Sequence, residues 1–276
     1  LIYGYYSYED ISRPYPFFLA YPVEGEPSGL GTPAEWQAEW KWDGIRGQVI
    51  KRKGELFVWS RGEELVTDKF PEFAELTEIL PEGTVLDGEI ICFTEGKPLP
   101  FNVLQTRIGR KNLTPKILNE APVSFIVYDI MEFEGQDIRD LSLTERRKKL
   151  DKLLVDSSVS NILVPSPVIE YNSWDALKKI REGSRENVSE GIMLKRKDSP
   201  YGVGRKKGDW WKWKIDPFTV DAVMIYAQKG HGRRADLFTD YTFALWDGDK
   251  LVTFAKAYSG LTNEEIKEVD AFVKSH

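Results

Sequence analysis

Hydrophobic and polar positions alternate strictly along Trp36-Gln37-Ala38-Glu39-Trp40-Lys41-Trp42. A period of two is the strand period, so this stretch predicts a strand with Glu39 and Lys41 on one face and the tryptophans on the other. Asp43-Gly44 follows as a turn in which glycine tolerates positive φ, so that the chain can reverse and return Arg46 beside Lys41. A second reversal at Lys53-Gly54 leads into Leu56-Phe57-Val58-Trp59, and Arg61 emerges at that strand's end. Pro71 to Leu80 reads as a short helix. Val85 to Phe93 is a strand carrying Glu89 in an apolar run. Val123 to Met131 is apolar on both faces, hence a buried central strand, and Tyr128-Asp129 lies near its end. Ser142-Leu143-Thr144-Glu145 is a capping box opening a helix to about Val155, and a second helix is predicted from Ser173 to about Arg185. Ser189 to Lys197 returns as a strand. Glu190 and Lys195 are an odd number of residues apart, so both reach one face only if one sits at a strand end or a bulge. Alternation resumes from Trp210 to Asp216, with Lys212 and Lys214 on one face and Trp211, Trp213 and Ile215 on the other.

The pattern changes at Asp216-Pro217. Thr219 to Ala257 reads as several short strands with turns at Lys229-Gly230 and Asp247-Gly248. Thr262-Asn263-Glu264-Glu265 then caps an amphipathic helix with Ile266, Val269, Phe272 and Val273 on its apolar side. At the other end, residues 1–23 are rich in tyrosine, proline and phenylalanine, and Pro14-Tyr15-Pro16 forbids regular helix. They are expected to form an extended lead-in packed over the next domain. Three segments result: 1–23, 24–216 and 217–276.

With 276 residues, 41% of them hydrophobic, the chain can bury a substantial core. No apolar run approaches the roughly 20 residues of a membrane span and no signal-peptide pattern opens the chain, so a cytoplasmic location is expected. The single cysteine, Cys92, excludes an intrachain disulfide and a tetrathiolate zinc site. A net charge of -6 argues against a polyanionic partner until its distribution is considered. Between Lys195 and Lys214 eight basic residues face only Asp198 and Asp209, and Trp210, Trp211 and Trp213 interleave with them. Such a local patch suits a nucleic acid. Gln105 to Lys111 is a smaller basic cluster, read as a solvated loop in preference to a contact with a nucleic-acid backbone.

Candidate chemistry centres on Lys41. An unperturbed ammonium has a pKa of about 10.4 and no free lone pair at neutral pH, and aromatic walls or a neighbouring arginine would depress that value. Glu89 needs a partner among so much apolar surface, and a metal ion, a ribose hydroxyl or a structural salt bridge would each serve. Lys212 and Lys214 at period two form a phosphate clamp, preceded by Arg205 on a flexible loop.

Lys41-x-Asp43-Gly44-x-Arg46 resembles the first signature of the lysine-dependent nucleotidyltransferases, the superfamily of DNA ligases, RNA ligases and mRNA capping enzymes. Five further segments resemble its other signatures in order: Ser60-Arg61-Gly62-Glu63-Glu64, Leu86-Asp87-Gly88-Glu89-Ile90, Phe125-Ile126-Val127-Tyr128-Asp129, Glu190-Gly191-Ile192-Met193-Leu194-Lys195 and Trp211-Lys212-Trp213-Lys214. The stretch from Ser12 to His276 is similar to bacterial ATP-dependent DNA ligases. That resemblance implies an α+β fold, with an antiparallel-sheet nucleotidyltransferase (adenylation) domain followed by a partial OB-fold β-barrel. It implies ATP and Mg2+ as cofactors and nicked double-stranded DNA as partner, handled by a monomer that is nucleoid-associated when on DNA. Lys41 would be the nucleophile. Glu39 would read the adenine amine, Tyr128 stack on the base and Arg61 contact the ribose or a phosphate. Arg46, Lys195, Lys212 and Lys214 would contact phosphate, Arg205 the nick phosphate, and Glu89 and Glu190 the metal. A core tyrosine and a surface arginine are the plainer readings of Tyr128 and Arg61. The remaining length does not complete the barrel, so its closing strands and the last, pyrophosphate-orienting signature are expected to be absent. An RNA ligase, a capping-type nucleotidyltransferase and a nucleic-acid-binding module without catalysis are the alternatives.

Overall fold

The computed structural model describes residues 11–156 and 161–275; the first ten residues of the expected lead-in lie outside the described residues. The chain divides into two units, Leu1–Ile215 and Asp216–His276. In the first, the alternating stretch forms β1 (Trp36–Trp42), and the hairpin that follows is β2 (Ile45–Arg52) and β3 (Glu55–Ser60). Lys53 and Gly54 join them at φ 52° and 78°, the two left-handed residues that a two-residue hairpin turn requires, with Arg52 opposite Glu55. β4 (Thr84–Thr94), β5 (Val123–Phe133) and β6 (Leu163–Pro165) extend this sheet in the order β6-β5-β4-β2-β3, antiparallel except for β6 against β5.

A second sheet runs β7 (Val168–Ile169), β1, β8 (Ser189–Arg196), β9 (Trp210–Lys214) and the short strand Tyr21–Pro22. The described part of the lead-in is stitched in by parallel pairing, Phe18–Leu19 with Gly204–Arg205 and Tyr21–Pro22 with Trp211–Lys212. Arg205 therefore lies on a paired strand and not on the flexible loop expected from its glycines.

Neighbouring residues of the first sheet belong to different cores: Val49, Val58 and Leu86 to one cluster, Ile50, Phe57 and Val85 to another. Successive side chains point to opposite faces, so this sheet is covered on both. The first cluster includes Leu104 of α1 (Phe101–Ile108) and Leu150 and Leu153 of α2 (Leu143–Asp156). A third cluster packs Trp36, Ile192, Trp211 and Trp213 of the second sheet against Leu177 of α3 (Trp174–Glu182), which ends short of the expected Arg185. Ser142 and Glu145 form the predicted capping box of α2, and the Ser173 hydroxyl caps α3.

The basic cluster at Gln105–Lys111 is not a solvated loop. Most of it is α1, and Arg107 is 1% exposed, bidentate to Glu72 at 2.6 Å and bonded to the carbonyls of Lys69 and Ala121. A cation buried in this way is structural, because each of its hydrogens needs a partner away from water. Arg146 of α2 does the same for Asp129 of β5, at 2.8 and 2.9 Å with both side chains fully buried.

The second unit is an antiparallel sheet of β10 (Val223–Lys229), β11 (Phe238–Asp247) and β12 (Lys250–Ala257), followed by α4 (Asn263–Ser275) with its Thr262/Glu265 capping box. Tyr241, Ala244 and Ile266 are buried there, while Tyr226, Trp246 and Phe254 are exposed. Among the described residues no helix is long and apolar enough to cross a membrane.

Candidate active site

All eleven residues singled out from the sequence line one cavity of about 500 Å³ in the first unit. Its lining carries seven basic side chains against four acidic ones, a balance suited to a polyphosphate. β1 contributes Glu39 and Lys41 from the same face, as the period of two predicts. Gly44 does not use the positive φ open to glycine; the glycine is needed because a Cβ there would lie 2.4 Å from the Ile90 carbonyl of β4. That close approach brings the Lys41 turn against the strand that carries Glu89.

Lys41 Nζ donates a hydrogen bond to Glu190 Oε2, and Lys214 Nζ lies 3.2 Å from the same oxygen. Glu190 reaches this position through a β-bulge: the pairing of β8 with β1 shifts register between Ser189 and Ile192, around Gly191 at φ 141°. The bulge is the irregularity that the odd spacing of Glu190 and Lys195 requires, and both now line the cavity. Burial pushes the Glu190 carboxyl up, but hydrogen bonds and charge from Lys41 and Lys214 outweigh it and hold it below the ordinary value. Burial, with Arg205, Lys41 and Lys214 nearby, pushes the Lys212 amine down. Cations crowded in this way favour an anion among them.

Burial raises the Glu89 carboxyl to about 8, against the pull of Arg46, Lys41 and Arg61. A carboxyl raised by burial in this way suits a divalent cation, which would offset the cost of burying its charge. Among the described residues no group of three or more His, Cys, Asp or Glu could hold a metal by itself. Glu89 and Glu190, hard oxygen donors lining the same cavity, would suit Mg2+.

Two predicted phosphate contacts are committed elsewhere. Arg46 is bidentate to the fully buried Asp87, at 3.2 and 2.7 Å, and donates to the Phe18 carbonyl at 2.7 Å. The Tyr201 hydroxyl closes this group by donating to Asp87 at 2.7 Å. Lys195 is 1% exposed, with Nζ 3.1 Å from Glu39 and 4.2 and 4.6 Å from the ring centroids of Tyr128 and Trp210. Arg61 and Arg205 are exposed at the cavity.

Asp87, Gln37, Met193 and Trp210 were not predicted. Three of them carry a parity signal, since Gln37 alternates with Glu39, Met193 with Lys195, and Trp210 with Lys212. Asp87 has none, because its partner Arg46 is distant in sequence.

The two-sheet fold, with Lys41 hydrogen-bonded to Glu190 in a cavity rich in basic side chains, is that of a lysine-dependent nucleotidyltransferase. The family model for the ATP dependent DNA ligase domain matches residues 18–214, and the chain belongs to that family. It is 32% identical to a probable DNA ligase of Koribacter versatilis, covering 96% of this chain and 49% of that protein. With a DNA ligase of Archaeoglobus fulgidus it is 30% identical, covering 94% and 47%. The chain thus spans about half the length of these curated relatives. Its fold is similar to the ligase domain of Mycobacterium tuberculosis LigD, at TM-score 0.58 and 25% identity over 94% of this chain and 77% of that one. It is also similar to a mycobacterial DNA ligase D complexed with ATP and MES, at TM-score 0.60 and 24% identity over 98% and 79%.

Proposed function

We propose that this chain is the catalytic core of an ATP-dependent DNA ligase, sealing nicks in double-stranded DNA through a lysyl-AMP and then a DNA-adenylate. The observation that carries this reading is the convergence of eleven separately predicted residues on one cavity within the family's domain. Once the Lys41 ammonium has lost its proton to solvent, its lone pair attacks the α-phosphorus of ATP. An N–P bond forms as the bond to pyrophosphate breaks. Lys212 and Lys214 stabilise charge on the phosphate oxygens. Glu39 accepts from the adenine amine, Tyr128 stacks on the base and Arg61 contacts the ribose or a phosphate. Arg46 supports the pocket floor through Asp87. Glu89 and Glu190 would hold Mg2+, which supplies positive charge to the phosphates when bound.

The AMP passes to the 5′-phosphate at a nick, positioned by Arg205, and the adjoining 3′-hydroxyl displaces it. The second unit, a three-stranded antiparallel sheet with one helix, is assigned as part of an OB-fold. The protein acts as a monomer in the cytoplasm, associated with the nucleoid when on DNA.

Intact mass and peptide mapping before and after incubation with ATP and Mg2+ test this reading. The expected result is a single AMP adduct on Lys41, absent from Lys41→Ala. Full nick sealing by Lys41→Ala would sink it. If the chain forms no adduct, pre-adenylated nicked DNA tests the last step alone, and failure to seal it overturns the proposal.

A further inference from the structure

Glu39 is a carboxylate at 1% exposure facing a cavity, and its hydrogen bonding is unsymmetrical. Gln37 Nε2 donates to Oε1 at 2.7 Å, and Lys195 Nζ lies 3.1 Å from both Oε1 and Oε2. Each carboxylate oxygen offers two lone pairs. Oε1 therefore has two donors, while Oε2 has one and keeps a lone pair for a ligand. Lys195 is itself fixed, because its ammonium lies over the faces of both Tyr128 and Trp210.

We infer that Lys195 is a positioning residue for base selection: pinned between Tyr128 and Trp210, it turns Glu39 so that one carboxylate oxygen accepts the six-amino group of adenine. The inference rests on the proposed reading of Glu39 and deepens it. Guanine in the same pose would set its six-oxo acceptor against that oxygen, an unpaired contact in a buried place. A site built around one hydrogen-bonding partner rejects the analogue that lacks it, because its own polar group is then left unsatisfied.

Equilibrium binding without divalent cation separates positioning from simple charge neutralisation, and it does not depend on turnover. The probes are ATP, GTP and purine riboside triphosphate, which lacks the six-amino group. Wild type is expected to bind the amine-free analogue about tenfold to hundredfold more weakly than ATP. Lys195→Met is expected to bind ATP as weakly as wild type binds the analogue, with little further loss when the amine is removed and a reduced preference over GTP. Lys195→Gln, which keeps a donor, is expected to fall between them and carries the test if the methionine variant fails to fold. An unchanged penalty for amine removal in folded Lys195 variants overturns the positioning role while leaving Glu39 as the reader. No penalty in wild type overturns the adenine-reading role of Glu39 and this inference together, and leaves the covalent role of Lys41 standing.

Discussion

Glu89 shows how one side chain can couple the site to stability. Its native carboxyl titrates at about 8, against an ordinary value of 4.5. Between those values the folded protein holds a proton that the unfolded chain has shed, so stability falls as pH rises through the window. Without divalent cation, the thermal midpoint of wild type should drop more between pH 5 and 8 than that of Glu89→Gln, as followed by circular dichroism. Equal profiles would mean that burial does not raise the Glu89 carboxyl. The residue scale also shows which parts of the site a sequence displays. Glu39, Lys41, Lys212 and Lys214 were legible because a period of two assigns each to a face. The destinations of Arg46 and Lys195 were not, because both depend on buried partners far along the chain, Asp87 and Glu39, which no local pattern pairs with them.

Among the elements, β8 decides most. A regular strand would send Glu190 and Lys195 to opposite faces, and the bulge at Gly191 brings both to the pocket. A Cβ on Gly191 would lie 2.3 Å from the Trp213 carbonyl, at a φ that side chains rarely adopt. Gly191→Ala should therefore cost about 2–4 kcal/mol in urea unfolding and displace Glu190 from Lys41. A variant with wild-type stability would show that β8 and β9 can separate there at little cost. The need for this bulge was readable from spacing alone, although which residue absorbs it was not. The capping boxes at Ser142 and Thr262 were read correctly for the same reason, being local. The strand order of the second sheet was not readable, because pairing β1 with β8 is a long-range choice made by packing.

For the molecule as a whole, the net charge of -6 matters less than where the positive charge lies. Arg205, Lys206 and Lys207 are exposed beside the cavity-lining strand β9. Binding to nicked DNA should weaken with rising salt, and each alanine substitution among the three should lower the log–log salt slope by about one. A slope unmoved by all three would place the DNA elsewhere. The pairing of early with late strands bears on how the protein is made. β1 carries Lys41, yet its partner β8 is synthesised roughly 150 residues later, about 8–30 s at ribosomal speeds of 5–20 residues per second. Phe18 and Tyr21 wait longer still, for Gly204 and Trp211. A nascent chain therefore exposes Lys41 long before it owns a pocket, and the cavity is among the last parts of the first unit to come into being. On the proposed function, chains cut short before β8 would carry the lysine without Glu190, Lys212 and Lys214 beside it.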